Sequence, residues 1–221
     1  MPAPVPALTA QQASSSPRAS TRRRRLLRGL GGLTLLGLTG GCDRLGGSPK
    51  LPFKSLDITG ANYARELKLT DPEGRTRQLS ELRGKLAVVF FGYTQCPDVC
   101  PTTLANLVAT QQLLGAEGDK VVGVFVSVDP ERDTPALLKE YVSSFNPVWW
   151  GLRGSAEETA AAAKEFKVFY RKVPGKTETS YTVDHTAASY VFDTEGRLRL
   201  YVRHATPPAE LAADLKLLLA R

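Results

Sequence analysis

Apolar and polar positions along the chain follow two different periods, and each period predicts its own kind of element. Residues 86–91 (Leu-Ala-Val-Val-Phe-Phe) and 121–128 (Val-Val-Gly-Val-Phe-Val-Ser-Val) are almost unbroken apolar runs, rich in β-branched and aromatic side chains. Runs without alternation predict strands buried on both faces, as at the centre of a parallel sheet. Leu137, Leu138, Tyr141, Val142 and Phe145 recur at helical spacing, and so predict a helix. The alanine-rich stretch from Ser155 to Phe166 predicts another, with Ser155 as N-cap and Glu158 completing a capping box. A further helix runs from about Pro101 through Thr110, and Pro207-Pro208 opens a C-terminal one ending in Leu-Leu-Leu.

Shorter strands fill the remainder. Glu66–Thr70 and Thr76–Leu79 flank the turn Asp71-Pro72-Glu73-Gly74, and Trp149–Leu152 reads as a short strand. Tyr190–Phe192 and Arg199–Val202 flank Asp193-Thr194-Glu195-Gly196 as a hairpin. Strands and helices alternating in this order predict an α/β fold with a parallel core and an appended antiparallel hairpin.

Charge changes the picture mainly at the N-terminus. The net charge of +7 over 221 residues looks like a signal for nucleic acid. Six arginines, however, lie within residues 1–41 (Arg18, Arg22, Arg23, Arg24, Arg25, Arg28), with no acid or lysine beside them. Without them 23 basic residues face 22 acidic ones, so the body of the chain offers a phosphate backbone no electrostatic support and no nucleic-acid partner is expected.

The same arginines fit a targeting segment. Residues 2–21 are rich in Pro, Ala, Ser and Thr and predict disorder. The basic block at 22–28 then precedes an apolar run of about 13 residues, Gly29 to Gly41, too short to span a bilayer. Residues 1–41 are thus expected to be a signal peptide. Its core resembles a twin-arginine export signal with Arg23 and Arg24 as the pair; a general secretory lipoprotein leader fits equally. Cys42 follows Gly40-Gly41 and resembles the lipidated cysteine of bacterial lipoproteins, although Thr39 stands where leucine is usual. Residues 42–52 read as a lipidated tether, and 53–221 as the folded domain.

With Cys42 set aside, two cysteines remain, Cys96 and Cys100. They follow the first apolar strand directly, each with a proline behind it, at the start of the next helix. Such a turn lies at the rim where open α/β sheets bind ligands. A helix N-terminus also stabilises thiolates. Three intervening residues put the sulfurs about one turn apart, near enough for a disulfide or for one shared metal ion. His185, in Tyr181-Thr182-Val183-Asp184-His185-Thr186, is expected in a loop just before a buried strand. Two thiolates and one imidazole suit a monovalent copper ion; zinc would want a fourth ligand. By spacing alone an exposed loop histidine is the favoured reading. His204, at a strand end, is expected on the surface.

Three segments together resemble the Sco/SenC family: Phe91-Gly92-Tyr93-Thr94-Gln95-Cys96-Pro97-Asp98-Val99-Cys100-Pro101, Ser127-Val128-Asp129-Pro130-Glu131-Arg132-Asp133-Thr134-Pro135, and Tyr181 to Thr186. The likeness spans roughly residues 63–220. It implies a thioredoxin-like fold, here with an N-terminal β-hairpin extension. It further implies one copper ion per chain, bound by Cys96, Cys100 and His185, with Asp129 and Asp184 orienting ligands or meeting a partner. The implied role is assembly of the dinuclear copper (CuA) centre in subunit II of cytochrome c oxidase, alongside other copper chaperones. The implied location is the periplasmic face of the bacterial inner membrane. Gln95 departs from the family by replacing the histidine common before the first cysteine, which is expected to tune the site. A lipid on Cys42 would stand in for the transmembrane helix of many relatives.

Two rival chemistries use the same cysteines. In a thiol–disulfide reductase Cys96 attacks and Cys100 resolves, with no metal in the cycle. Thr94-Gln95-Cys96 also resembles peroxiredoxin sites, but the upstream proline of those sites is missing from Val88–Gly92.

Overall fold

The computed structural model describes residues 51–177 and 180–221; the expected leader, Cys42 and most of the tether lie outside the described residues. A six-stranded sheet forms the centre. Its three parallel strands are β4 (Leu86–Gly92), β5 (Val121–Ser127) and β6 (Trp150–Leu152), preceded in the chain by β1 (Leu56–Asp57), β2 (Lys68–Thr70) and β3 (Thr76–Gln78). Strand β9 (Ser189–Phe192) lies antiparallel on the other side of β4, followed by β10 (Leu198–Val202) and then β1, giving the order β1-β10-β9-β4-β5-β6. Every residue of β4 and β5 is buried, as their unbroken apolar runs require.

Four helices, α1 (Val99–Leu114), α2 (Pro135–Phe145), α3 (Ala156–Glu165) and α4 (Pro208–Leu219), cover the sheet. Helix α1 buries Cys100, Leu104, Leu107, Thr110 and Leu114 at helical spacing and packs along α4. The expected capping box is present: Ser155 Oγ accepts from the Glu158 amide, and Glu158 accepts from the Ser155 amide at 2.8 Å. Leu138 and Val142 of α2 crowd Gly151, where a Cβ would meet Leu138 at 2.9 Å. Phe91 sits 5.1 Å from Phe166, and Phe166 5.4 Å from Tyr190, as an aromatic seam through the core. The expected N-terminal hairpin forms as β2 against β3, pairing Leu69 with Arg77.

One element departs from expectation. His185 is not in a loop but is the last residue of β8 (Tyr181–His185), which pairs antiparallel with β7 (Tyr170–Pro174) in a separate two-stranded sheet. Only Val183 of these ten residues is buried. A hairpin lying over the domain, with nearly all its side chains in partial contact with water, carries no strong hydrophobic alternation. Among the described residues no helix is long and apolar enough to cross a membrane.

Candidate metal centre

Strand β4 runs out of the core into a turn and then into α1, and this reversal fixes both cysteines. The Cys96 amide donates to the Tyr93 carbonyl at 3.2 Å, closing a turn outside the helix. Cys100 lies in the first turn of α1, and its amide donates to Cys96 Sγ at 3.4 Å. Proline after each cysteine keeps Cys96 out of α geometry while sparing the helix start. Gly92 is required by the packing: a Cβ there would come within 2.7 Å of Cys100 Sγ and 2.9 Å of the Phe90 ring. Cys100 is buried and Cys96 half-buried, and both are free thiols.

His185 joins them from β8. Its Nε2 lies 3.4 Å from Cys100 Sγ, while Nδ1 donates to the Thr186 carbonyl at 3.1 Å. That bond holds the imidazole by its far nitrogen and turns Nε2 toward the sulfurs. The rings of Phe90 and Tyr93 pack edge-on against it at 5.7 and 6.0 Å. One ligand atom from each of Cys96, Cys100 and His185 falls within 4.8 Å of the others. Two soft sulfurs and one imidazole at that spacing suit a soft ion with low coordination number.

The two thiols are driven apart electrostatically. A hydrogen bond from Cys100 holds the Cys96 pKa down to about 3, against the cost of burial, with help from His185 and the amides of Asp98 and Cys100. Cys100 moves upward, because it is the donor to that thiolate and because it is buried. The pair is therefore one half-buried thiolate and one buried thiol. An open groove above them is lined by Tyr93, Cys96, Asp98, Val183, Asp184 and His185.

The acidic residues of the second segment sit beneath this rim. Asp129 touches neither cysteine nor His185: it is fully buried, accepts from the Tyr181 hydroxyl at 2.8 Å and pairs with Arg132. Asp184 lies on the groove's outer edge, paired with Arg171 at 3.2 Å, and both are mostly exposed. His204 is 3.5 Å from Thr103 at the surface, away from the cluster. Asp133, which sequence reasoning passed over, is fully buried and gathers three donors: Thr94 Oγ1 and Ser127 Oγ at 2.6 Å, and the Thr94 amide at 3.2 Å. It thereby ties the cysteine turn to the end of β5, and its burial pushes its pKa up. Arg132 was also missed. Both lie in the Ser127–Pro135 segment of the family resemblance, but by residue type alone the acid-rich turn at a strand end reads as ordinary loop capping.

Residues 57–220 match the model of the SCO1/SenC family. The chain belongs to that family. Among its relatives, a SCO2-like protein of Rickettsia felis is 34% identical over 152 residues, covering 68% of this chain and 74% of that one. The solved structure of Bradyrhizobium japonicum ScoI with copper bound is 45% identical, with a TM-score of 0.63 over 70% of this chain and 98% of the other. Apo Sco1 from Thermus thermophilus is 38% identical, with a TM-score of 0.68 over 78% of this chain and all of the other. The fold is thus the thioredoxin-like one of the Sco proteins.

Proposed function

We propose that this SCO1/SenC member is an exported, membrane-anchored copper chaperone that carries one copper ion on Cys96, Cys100 and His185. The observation that carries the reading is the meeting of these three donors within 4.8 Å at the sheet rim. The donor set fits the cargo: two sulfurs and an imidazole nitrogen match monovalent copper, and the protonated Nδ1 leaves Nε2 free to ligate. Loading requires the Cys100 thiol to give up its proton, so uptake releases protons and strengthens as pH rises. The similarity to copper-bound ScoI supports the same metal. By family resemblance the acceptor is the CuA site of cytochrome c oxidase subunit II, with other copper chaperones upstream. Cleavage before Cys42 and acylation of its sulfur would hold the domain at the periplasmic face of the inner membrane, since more than one acyl chain gives stable attachment.

Two measurements test this. The reduced protein is expected to bind one copper ion and the oxidised protein none, because only thiolates ligate. Equal binding by both forms would put the site elsewhere. Mass spectrometry of the mature N-terminus is expected to find acylated Cys42; an intact leader in the membrane fraction excludes the anchor.

The split between the thiols favours a second activity, thiol–disulfide reduction. The Cys96 thiolate attacks one sulfur of a target disulfide, breaking it and forming a mixed disulfide. Cys100, giving up its proton, then attacks Cys96. The target leaves with two electrons as a dithiol, and Cys96–Cys100 remains as a disulfide for an external dithiol to reduce. The two activities are compatible, because a copper acceptor must have reduced thiols.

A further inference from the structure

The cysteine turn and the histidine hairpin belong to different sheets, and no strand pairing joins them. Arg132 bridges the gap. Its Nη1 donates to Gln95 Oε1 at 3.2 Å, beside Cys96, and to the Tyr181 carbonyl at 2.9 Å, at the start of β8. The guanidinium carbon lies 3.5 Å from the centre of the Tyr181 ring and 5.6 Å from that of Tyr93. Nε pairs with buried Asp129, whose other oxygen accepts from the Tyr181 hydroxyl at 2.8 Å. One planar cation thus holds three segments: the cysteine turn, the loop after β5, and the hairpin.

From this arrangement we propose that Arg132 is the positioning residue that sets His185 against the cysteine pair. The proposal rests on the copper reading above. Side chains two apart on a strand share a face, so Tyr181, Val183 and His185 all point inward, and their burial pattern agrees. Tyr181 stands about 13 Å along the strand from His185. Fixing that far end stops β8 from pivoting about its base, where the Phe169 amide donates to Thr186 Oγ1 and the Thr186 amide to the Phe169 carbonyl. Lysine cannot replace this fork. A single ammonium keeps Asp129 paired but cannot also stack on Tyr181 and reach Gln95 in one plane. Gln95, the departure from the family pattern, supplies the acceptor that couples the clamp to the cysteine side.

The test compares the full-length protein with its Arg132→Lys and Gln95→Ala variants. Lysine retains a charge beside Asp129, and Gln95→Ala leaves the Asp129 pair untouched, so neither leaves a buried carboxylate unpaired. In the metal-free protein, Arg132→Lys is expected to speed amide exchange in strands β7 and β8 about tenfold while β4 and α1 keep wild-type protection. In Cu(I) competition the same variant is expected to bind about tenfold more weakly, with an altered Cu(II) absorption spectrum, and Gln95→Ala less so. Wild-type exchange in the hairpin overturns the proposal, as does faster exchange throughout β4 and α1, which would make Arg132 a general stabiliser. A loosened hairpin with unchanged copper affinity overturns it too. If the wild-type protein takes up no copper, the copper reading fails by itself, and hairpin exchange alone decides whether Arg132 clamps the two segments.

Discussion

The cysteine turn and the histidine hairpin meet at one centre but are built on different principles. Cys100 is packed into the hydrophobic core, under Gly92 and beside Phe90 and Phe125, on a turn flanked by a fully buried strand and a sixteen-residue helix. His185 ends a hairpin with one buried residue, held over the domain by aromatic edges, by side-chain bonds from the Asp129–Arg132 loop and by the links at Phe169–Thr186. Core packing fixes the dithiol, whereas two aromatic edges and a few polar contacts fix the imidazole. It follows that the two proposed activities are separable: chemistry using the cysteines alone depends on the core, and metal affinity depends also on the hairpin.

The largest effect is expected at the sulfurs. Cys96→Ser or Cys100→Ser removes a soft ligand from a three-donor set, and copper affinity is expected to fall by about a thousandfold or more. Chelator competition measures it. A smaller loss at Cys100→Ser than at His185→Ala would invert the comparison.

His185→Ala comes next. Copper affinity is expected to drop about a hundredfold, while the Cys96 thiolate persists, because its first stabiliser is the Cys100 hydrogen bond and His185 contributes less. The sign of the pH dependence follows from a folded-state pKa depressed to about 3. Stability from the thiolate is complete above the unfolded cysteine value, about 8.5, and is lost as pH falls toward the folded one. Cys96 is therefore expected to alkylate readily at about pH 5, where an ordinary thiol is protonated and buried Cys100 is inert. Iodoacetamide labelling followed by peptide mass mapping checks both wild type and variant.

Gly92→Ala attacks the core side instead. The added methyl would sit 2.7 Å from Cys100 Sγ and 3.0 Å from the Phe125 ring, so the surroundings must shift. The expected cost is about 1–3 kcal/mol of stability, read by urea denaturation, with slower disulfide exchange. A neutral result would mean that the turn is less tightly packed than the hairpin.

How much of this the sequence disclosed divides along the same line. Core elements were legible because burial on both faces leaves an unbroken apolar run, as in 86–91, and because Ser155 and Glu158 are local signals. The cysteine turn was legible because its strand, prolines and helix are contiguous. The β7–β8 hairpin was not, since its residues are mostly polar and gain their order from partners distant in sequence. Arg132 meets Gln95 across 37 positions and Tyr181 across 49, and Thr94 meets Asp133 across 39. Spacing within one segment cannot disclose such bonds; for His185, the family resemblance rather than its own neighbours pointed to the cysteines.

The smallest effect is expected at Asp184, which sharpens the comparison by dividing the hairpin itself. Its neighbour His185 faces inward, but Asp184 faces outward to Arg171 at 3.2 Å, with side chains 56% and 66% exposed. Exposed pairs of this kind contribute less than about 1 kcal/mol, because water screens them and ordering two side chains opposes them. Asp184→Asn is therefore expected to shift the denaturation midpoint barely measurably and to leave copper affinity within about twofold of wild type. It lines the groove edge with Asp98 and Cys96. Two carboxylates beside the half-buried sulfur would favour approach of a basic partner surface, an effect on association rate that salt suppresses. Stopped-flow association with a copper-accepting partner, at low and high ionic strength, would show Asp184→Asn slower only at low salt. If Asp184→Asn weakened copper binding as much as His185→Ala, the outer face of the hairpin would belong to the metal site, and the division between its two faces would fail.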